Sequence, residues 1–100
     1  MNTHPMKHVT IVTEALALDP IKELLADIGA HGYTSFPVAG AGAQGERPAD
    51  IAEFGNTQVE VILQPAMADA LLTRLQRDFF PRYAMIAYES DVRVLRQGKF

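Results

Sequence analysis

The order of strand-like and helix-like segments constrains the fold of this chain more than any single motif does. Four segments have the composition and alternation of strands: 7–14, 33–39, 57–63 and 83–88. The third is the clearest, because Val59, Val61 and Leu63 fall on one face of it. Two segments with helical periodicity separate these strands, so the predicted order is βαββαβ.

The first helix is predicted from its end signals and its apolar spacing. Asp19 can serve as the N-cap, and Pro20 fits the first helical position. Gly29 and Gly32 then end the helix. One face carries apolar residues at helical spacing: Ile21, Leu24, Leu25 and Ile28.

The second helix is predicted to begin at Pro65 and to end before Pro81. Its apolar stripe consists of Met67, Leu71, Leu72, Leu75 and Phe79. After the fourth strand, Ser90 and Asp91 predict a turn. Residues 92–95 are predicted to form a short fifth strand.

This order predicts an α+β protein, a ferredoxin-like βαββαβ sandwich with a short C-terminal strand, in one domain that spans residues 1–100. Right-handed crossovers place both helices on the same face of the sheet. The other face would then expose Tyr, Ile and Val side chains, and a contiguous exposed apolar surface usually marks an interface. We therefore expect the chain to form oligomers through its sheet.

Composition excludes several classes of function. The chain has 9 Lys and Arg against 12 Asp and Glu, a net charge of −3, which disfavours a broad face for nucleic acid. The third strand also lacks the exposed aromatic residues of a ferredoxin-like RNA-binding domain. Without cysteine the chain forms no disulfide or thiolate metal site, and His4, His8 and His31 lack metal-ligand spacing. With no signal core and no apolar run of transmembrane length, we expect a cytoplasmic protein without direct membrane insertion.

Directly after the second predicted strand, residues 40–45 match the pattern G-x-G-x-x-G. No helix can follow in the polar segment beyond it, so the dinucleotide-binding fold that uses this pattern is excluded. Glycines still allow successive main-chain N–H groups to converge on an anion, and Arg47 lies two residues beyond Gly45. The residues leave two interpretations open, a phosphate-binding nest and a flexible hairpin connection.

Cationic residues in the C-terminal part form a second group of candidates: Arg82, Arg93, Arg96 and Lys99. Their charges can pair with phosphate or bicarbonate oxygens, or they are solvated surface charges that protect sheet edges. Tyr83 can line an adenine pocket, although strand aromatics more often fill a core or an interface.

Ile51 and Phe54 are two sizeable apolar residues inside a polar segment. Such residues need burial, either on the domain itself or in the groove of a partner, so both are candidate partner-binding residues. The carboxylates Glu46, Asp50 and Glu53 of the same segment have no evident nucleophile or base beside them, and no catalytic site is predicted.

Residues 29–34 read Gly-Ala-His-Gly-Tyr-Thr, and residues 79–88 read Phe-Phe-Pro-Arg-Tyr-Ala-Met-Ile-Ala-Tyr. Both segments resemble the PII-like signalling proteins. The resemblance is strongest to the subgroup associated with carboxysomes and bicarbonate transport. It implies a homotrimer with an adenine nucleotide in each cleft between subunits, near the base of a long T-loop. That loop corresponds here to residues 40–56.

The sequence departs from the PII pattern in three places, and each departure argues against one property of PII proteins or their relatives. Residues 40–56 contain no tyrosine, so the uridylylation of PII proteins is not expected. The original PII proteins bind nucleotide phosphates with a glycine-rich loop that carries a lysine. This chain has Phe80-Pro81-Arg82-Tyr83 at that position, which argues against strong ATP binding. The last residues are Gly98-Lys99-Phe100 and not a cysteine pair, so redox control through that element is not expected.

The residues and the resemblance together predict a non-enzymatic regulatory protein that senses ADP or AMP, with bicarbonate as a further candidate ligand. It would signal through the T-loop to a bicarbonate transporter or a carboxysome protein. The predicted nucleotide-binding residues are Gly40, Ala41, Gly42, Gly45, Arg47, Arg82, Tyr83, Arg93 and Lys99. The alternative is a trimeric protein-interaction module that binds no ligand.

Overall fold

The computed structural model describes residues 1–42, 45–47, 55–96 and 98, and all structural statements refer to these. The helices are α1 (Leu18–Ile28) and α2 (Pro65–Arg74), and a wider π-helical turn, Leu75–Phe79, continues α2. The strands are β1 (His4–Glu14), β2 (Thr34–Val38), β3 (Gly40–Gly42), β4 (Gly45–Arg47), β5 (Asn56–Leu63) and β6 (Met85–Val94).

Four of the strands form one antiparallel sheet in the order β2-β5-β1-β6. Within the described ranges, strands β3 and β4 form a separate two-stranded sheet with each other. This order, with two helices in the crossovers, confirms the predicted α+β ferredoxin-like fold.

The core lies between the helices and one face of the sheet. In the central strand β1, Ile11 is fully buried and lies opposite Val59 of β5 and Ala87 of β6. Ile21 of α1 and Leu71 of α2 belong to the same buried cluster. The predicted alternation of β5 is confirmed, since every second residue from Thr57 to Leu63 is buried. These apolar faces hold the two layers together through the hydrophobic effect.

The predicted turn at Ser90 and Asp91, and with it a separate fifth strand, is wrong. Strand β6 runs without a break because β1 begins at His4 and offers it a partner over its whole length, from Thr13 opposite Met85 to His4 opposite Val94. Asp91 is held in the ladder by an ion pair of 2.5 Å with Lys7. Long-range pairing therefore overrides the local turn preference of two polar residues.

The start of α1 also differs from the prediction. A 3₁₀ turn, Ala15–Ala17, precedes the helix and Ala17 is its N-cap, so Asp19 lies in the first turn and does not cap it. Asp19 is still favourable there because a carboxylate stabilises the positive end of the helix dipole. Pro20 has no main-chain N–H, and it is tolerated in the first turn because the N–H groups there have no partner within the helix.

The predicted end of α1 at Gly29 is confirmed. Gly29 has a φ of 87°, in the left-handed region, and its N–H donates to the carbonyl of Ala26 at 3.2 Å. The N–H of Ala30 donates to the carbonyl of Leu25 at 2.9 Å, which completes the usual glycine C-cap.

We expect Gly29→Ala to destabilise the fold by about 1–2 kcal/mol, because L-residues pay this cost in the left-handed conformation. Packing is not the reason, since among the described atoms a Cβ at Gly29 would only touch Met67 Cε at 3.9 Å. Gly32→Ala is the control, because Gly32 has no positive φ and its Cβ would meet no described atom within 4 Å. Urea unfolding of both variants tests this, and equal stabilities would contradict it.

Candidate functional site

The described part of the glycine motif forms a β-hairpin. Gly40 lies opposite Arg47, Ala41 opposite Glu46 and Gly42 opposite Gly45. The described backbone pairs as a hairpin, and whether these residues also bind a phosphate stays a prediction. In a two-stranded antiparallel ladder, some main-chain N–H groups pair with the partner strand and the others point outward.

Gly40 is a glycine that the fold itself does not require. Its φ is not positive, so its conformation is open to other residues. Among the described atoms, a Cβ at this position would meet only Asn56 Nδ2, at an ordinary contact distance of 4.0 Å. Glycine weakens a strand and often marks a place where a ligand or another backbone approaches closely. The space above Gly40 is therefore a candidate ligand site.

The sheet register shows which predicted site residues lie at the same end of the molecule. Val38, next to the hairpin, lies opposite Asn56, and Thr13 lies opposite both Thr57 and Met85. Arg82 and Tyr83 directly precede β6, so they share this end with Gly40. They are three strand spacings away, about 14 Å across the sheet.

Arg93 lies at the opposite end of the sheet, paired with Pro5. From Met85 to Arg93, β6 advances by about 27 Å at the usual rise per residue. One chain therefore cannot bring Arg93 and Arg82 to the same ligand. If both serve one site, that site includes two copies of the chain.

The connection between the π-helical turn and β6 uses its own main-chain donors. The N–H of Phe80 donates to the carbonyl of Leu75, and those of Arg82 and Tyr83 both donate to the carbonyl of Phe79, each at 2.9 Å. Pro81 has no N–H. Residues 80–83 therefore have no main-chain N–H left for a phosphate, and they can offer it the exposed Arg82 side chain.

Tyr83 is partly buried, and its ring packs against Phe79 with 5.9 Å between the ring centroids. The hydroxyl of Thr13 donates to the carbonyl of Ala84 at 2.9 Å and fixes the start of β6 to β1. The Tyr83 ring therefore helps to close the core at this end of the sheet.

Several predicted site residues are described in part or not at all. Ile51, Phe54 and Lys99 lie outside the described residues. For Ala41, Gly42, Gly45 and Arg47 the structure describes the backbone alone.

A polar cluster that the sequence did not reveal lies on the sheet face away from the helices. The carboxylate of Glu60 accepts hydrogen bonds from Gln58 at 2.6 Å and from Thr10 at 2.9 Å, and it also pairs with His8 Nε2. Burial raises the pKa of Glu60, but the hydrogen bonds from Gln58, Thr10 and His8 outweigh burial, and the pKa lies below its usual value. Glu60 is therefore ionised at neutral pH.

Alternation alone could place Gln58 and Glu60 on one face of β5, and His8 and Thr10 on one face of β1. What brings the four together is the register, in which Thr10 lies opposite Glu60. No local sequence signal encodes that register.

Exposed apolar side chains surround this cluster, as the sequence predicted for the open face of the sheet. Ile86 is 60% exposed, Tyr88 55% and Phe36 40%. Ile86 lies opposite Val12, Tyr88 opposite Thr10, and Phe36 opposite Gln58, so all three lie on the same face as the polar cluster. This surface has the composition of a protein interface, apolar with a few paired polar groups.

A cleft of about 200 Å³ opens next to the hairpin, between the 3₁₀ turn and the adjoining ends of β2 and β5. Its walls are mainly apolar and consist of Ala15, Leu18, Ser35, Phe36, Pro37, Gly55, Asn56 and Thr57. The N–H of Ala15 donates to the carbonyl of Gly55 at 3.0 Å, which fixes one wall.

A second recess, of about 310 Å³, lies beside Arg74, Arg77 and Arg82. Its charges are largely compensated. Asp78 binds Arg77 at 2.8 Å and Arg74 at 3.1 Å, and these contacts, Arg77 first, lower the pKa of Asp78 to about 2. Arg74 also lies 3.5 Å from Asp27 of α1. Among these cations, Arg82 alone has no ion pair within the described part of the chain.

Within the described ranges, no group of three or more His, Cys, Asp or Glu side chains is placed to hold a metal ion. No helix in the same ranges is long and apolar enough to span a membrane.

The fold and this site define a small α+β protein with a ferredoxin-like sheet, a glycine hairpin at one sheet end and an open apolar face. The profile of the nitrogen regulatory protein P-II family matches residues 6–99. The chain therefore belongs to the P-II family, a family of regulatory proteins. No curated protein matched the chain significantly.

Solved structures agree with this assignment. A PII-like signalling protein from Thermus thermophilus is 41% identical, with a TM-score of 0.86 over 100% of this chain and 99% of that one. CPII, a nitrogen regulatory PII-like protein from Thiomonas intermedia bound to ADP, AMP and bicarbonate, is 22% identical. It has a TM-score of 0.91 over 99% of this chain and 96% of its own. At 22% identity, the similarity to CPII is evidence for the fold of this chain alone.

Proposed function

We propose that this protein is a non-enzymatic regulator of the PII-like type that senses ADP or AMP, with bicarbonate as an additional ligand. The nucleotide phosphates would bind at the glycine hairpin, and occupancy would be signalled through the T-loop, residues 40–56. The partner would belong to inorganic-carbon uptake or to the carboxysome. Ile51 and Phe54 would contact that partner.

The observation that carries this proposal is Gly40, a glycine in a strand whose conformation and surroundings would accept a Cβ. Open space beside a strand residue that has no side chain lets an oxyanion approach the backbone closely. The bound ADP, AMP and bicarbonate of CPII, which shares this fold, support the choice of ligand.

The proposed assembly is a homotrimer in which the open sheet faces meet. Burial of Phe36, Ile86 and Tyr88 would supply the driving force. In such an assembly the Arg93 of a neighbouring copy would be placed at the hairpin, since the chain's own Arg93 lies at the opposite end of the sheet. The nucleotide site would then lie between subunits.

Isothermal titration calorimetry with ADP, AMP, ATP and cyclic AMP, each with and without bicarbonate, tests the proposal. We expect saturable binding of ADP and AMP. ATP should bind no more tightly than ADP, because residues 80–83 present no free main-chain N–H to a further phosphate. No heat with any nucleotide would favour the ligand-free trimeric interaction module instead, and hydrolysis of the bound nucleotide would contradict the non-enzymatic assignment.

A further inference from the structure

Asn56, at the start of β5, has a side chain that no other described residue engages. Its carboxamide makes no hydrogen bond within the described part of the chain, whereas the next polar residues of the strand are all engaged. Thr57 donates to the carbonyl of Phe36 at 3.4 Å, and Gln58 donates to Glu60 at 2.6 Å. An amide group has two donors and an acceptor to satisfy, so this one is available to a ligand.

The backbone of Asn56 is fixed on both sides, because it lies opposite Glu14 of β1 and Val38 of β2. The side chain is partly buried and lies over Gly40, with Nδ2 only 4.0 Å from the position of a Gly40 Cβ. The same residue lines the cleft of about 200 Å³. A fixed, unengaged amide thus borders the space that the missing Gly40 side chain leaves open.

We propose that Asn56 is a ligand-binding residue of the hairpin site, whose carboxamide donates a hydrogen bond to an oxyanion oxygen held above Gly40. This inference rests on the proposed function and adds to it a residue that was not among the predicted set. The oxygen belongs either to a nucleotide phosphate or to bicarbonate, which present the same acceptor chemistry.

Such a contact would join the two strands that flank the T-loop. Strand β2 ends at Val38, and Ala39 separates it from Gly40, the first residue of β3. Asn56 is the first residue of β5. A ligand bound by both would crosslink β3 to β5, and its binding free energy would favour the conformation in which the two residues face each other.

Asn56→Asp and Asn56→Ala test the inference in the full-length protein. Alanine removes the donor and should weaken binding about 10- to 150-fold, the effect of losing one hydrogen bond to a charged group. Aspartate has the same shape, but it adds a carboxylate opposite Glu14 that repels an anion, so it should weaken binding more than alanine does. Gln76→Glu is the matched control, since it makes the same amide-to-acid change at an exposed position of the π-helical turn.

Separate calorimetric titrations with ADP alone and with sodium bicarbonate alone distinguish the two sources of the oxygen. Loss of affinity in the ADP titration assigns the contact to a phosphate, and loss in the bicarbonate titration assigns it to bicarbonate. Circular dichroism and thermal unfolding verify that both variants fold.

Wild-type affinity of both Asn56 variants for both ligands would overturn the inference and leave the proposed function intact. Equal losses in the Gln76→Glu control would overturn it too, because the effect would then be one of net charge. If the wild-type protein binds neither ligand, the proposed function fails, and the inference fails with it.

Discussion

Ile86→Asp is expected to convert the assembled protein into folded monomers. Ile86 is 60% exposed in the single chain and lies opposite Val12, on the open apolar face near the start of the edge strand β6. Burying this side chain against a second copy would be favourable, whereas a carboxylate there would lose its hydration without gaining a partner. A buried unpaired charge costs several kcal/mol, enough to dissociate an oligomer at micromolar concentration.

Sedimentation velocity of the wild-type protein and of the variant measures this effect directly. We expect the mass of a trimer for the wild type and of a monomer for Ile86→Asp, with the same far-ultraviolet circular dichroism. The matched control is Leu16→Asp, because Leu16 is 70% exposed but lies in the 3₁₀ turn rather than on the sheet face. A variant that sediments like the wild-type trimer, or a monomeric wild type, would refute the proposed interface.

The same variant connects the assembly with the ligand site. If the neighbour's Arg93 completes the site, a monomer keeps the hairpin and Asn56 but loses that guanidinium. Nucleotide affinity should therefore fall together with trimerisation in Ile86→Asp and persist in Leu16→Asp. This outcome would separate a site between subunits from one contained within a single chain.

The fold could be predicted from the sequence wherever local and tertiary preferences agree. The alternation of β5 and the glycine that ends α1 are such cases, since a buried face and a left-handed cap each leave a local signal. Prediction was wrong where pairing between distant segments decides the structure. Aspartate is common in turns, yet Asp91 pairs with Lys7, which lies 84 residues away in sequence.

In the candidate site too, some features could be predicted from a local pattern, whereas others depend on pairing between distant segments. The glycine pattern predicted a hairpin connection as one of two interpretations, because glycine is common in turns, and the described backbone pairs in that way. It did not reveal Asn56, because that residue reaches Gly40 only through the β2–β5 register. Arg82 and Arg93 looked equivalent as cations, and the sheet places them at opposite ends. Composition identifies which groups can bind an anion, whereas register decides which of them can meet.

Gly40→Val is expected to abolish nucleotide binding while leaving the fold intact. The described surroundings hold only Asn56 Nδ2 within 4.0 Å of a new Cβ, and β-branched residues favour strands, so the substitution should not reduce stability. A branched side chain would, however, fill the space in which the proposed oxyanion lies against the backbone. Losing hydrogen bonds to a charged group, with a steric clash added, should weaken ADP binding by about 100-fold or more.

Calorimetry with ADP, together with urea unfolding, measures the two effects separately. Gly40→Ala provides a graded step, with a smaller loss of affinity because its single methyl group fills less of the space. Gly32→Ala serves as the control, since that glycine also lacks a positive φ and has open surroundings but lies before β2, away from the hairpin. Wild-type affinity in Gly40→Val would show that the space above Gly40 is not used by the nucleotide, and the glycine would then need another explanation.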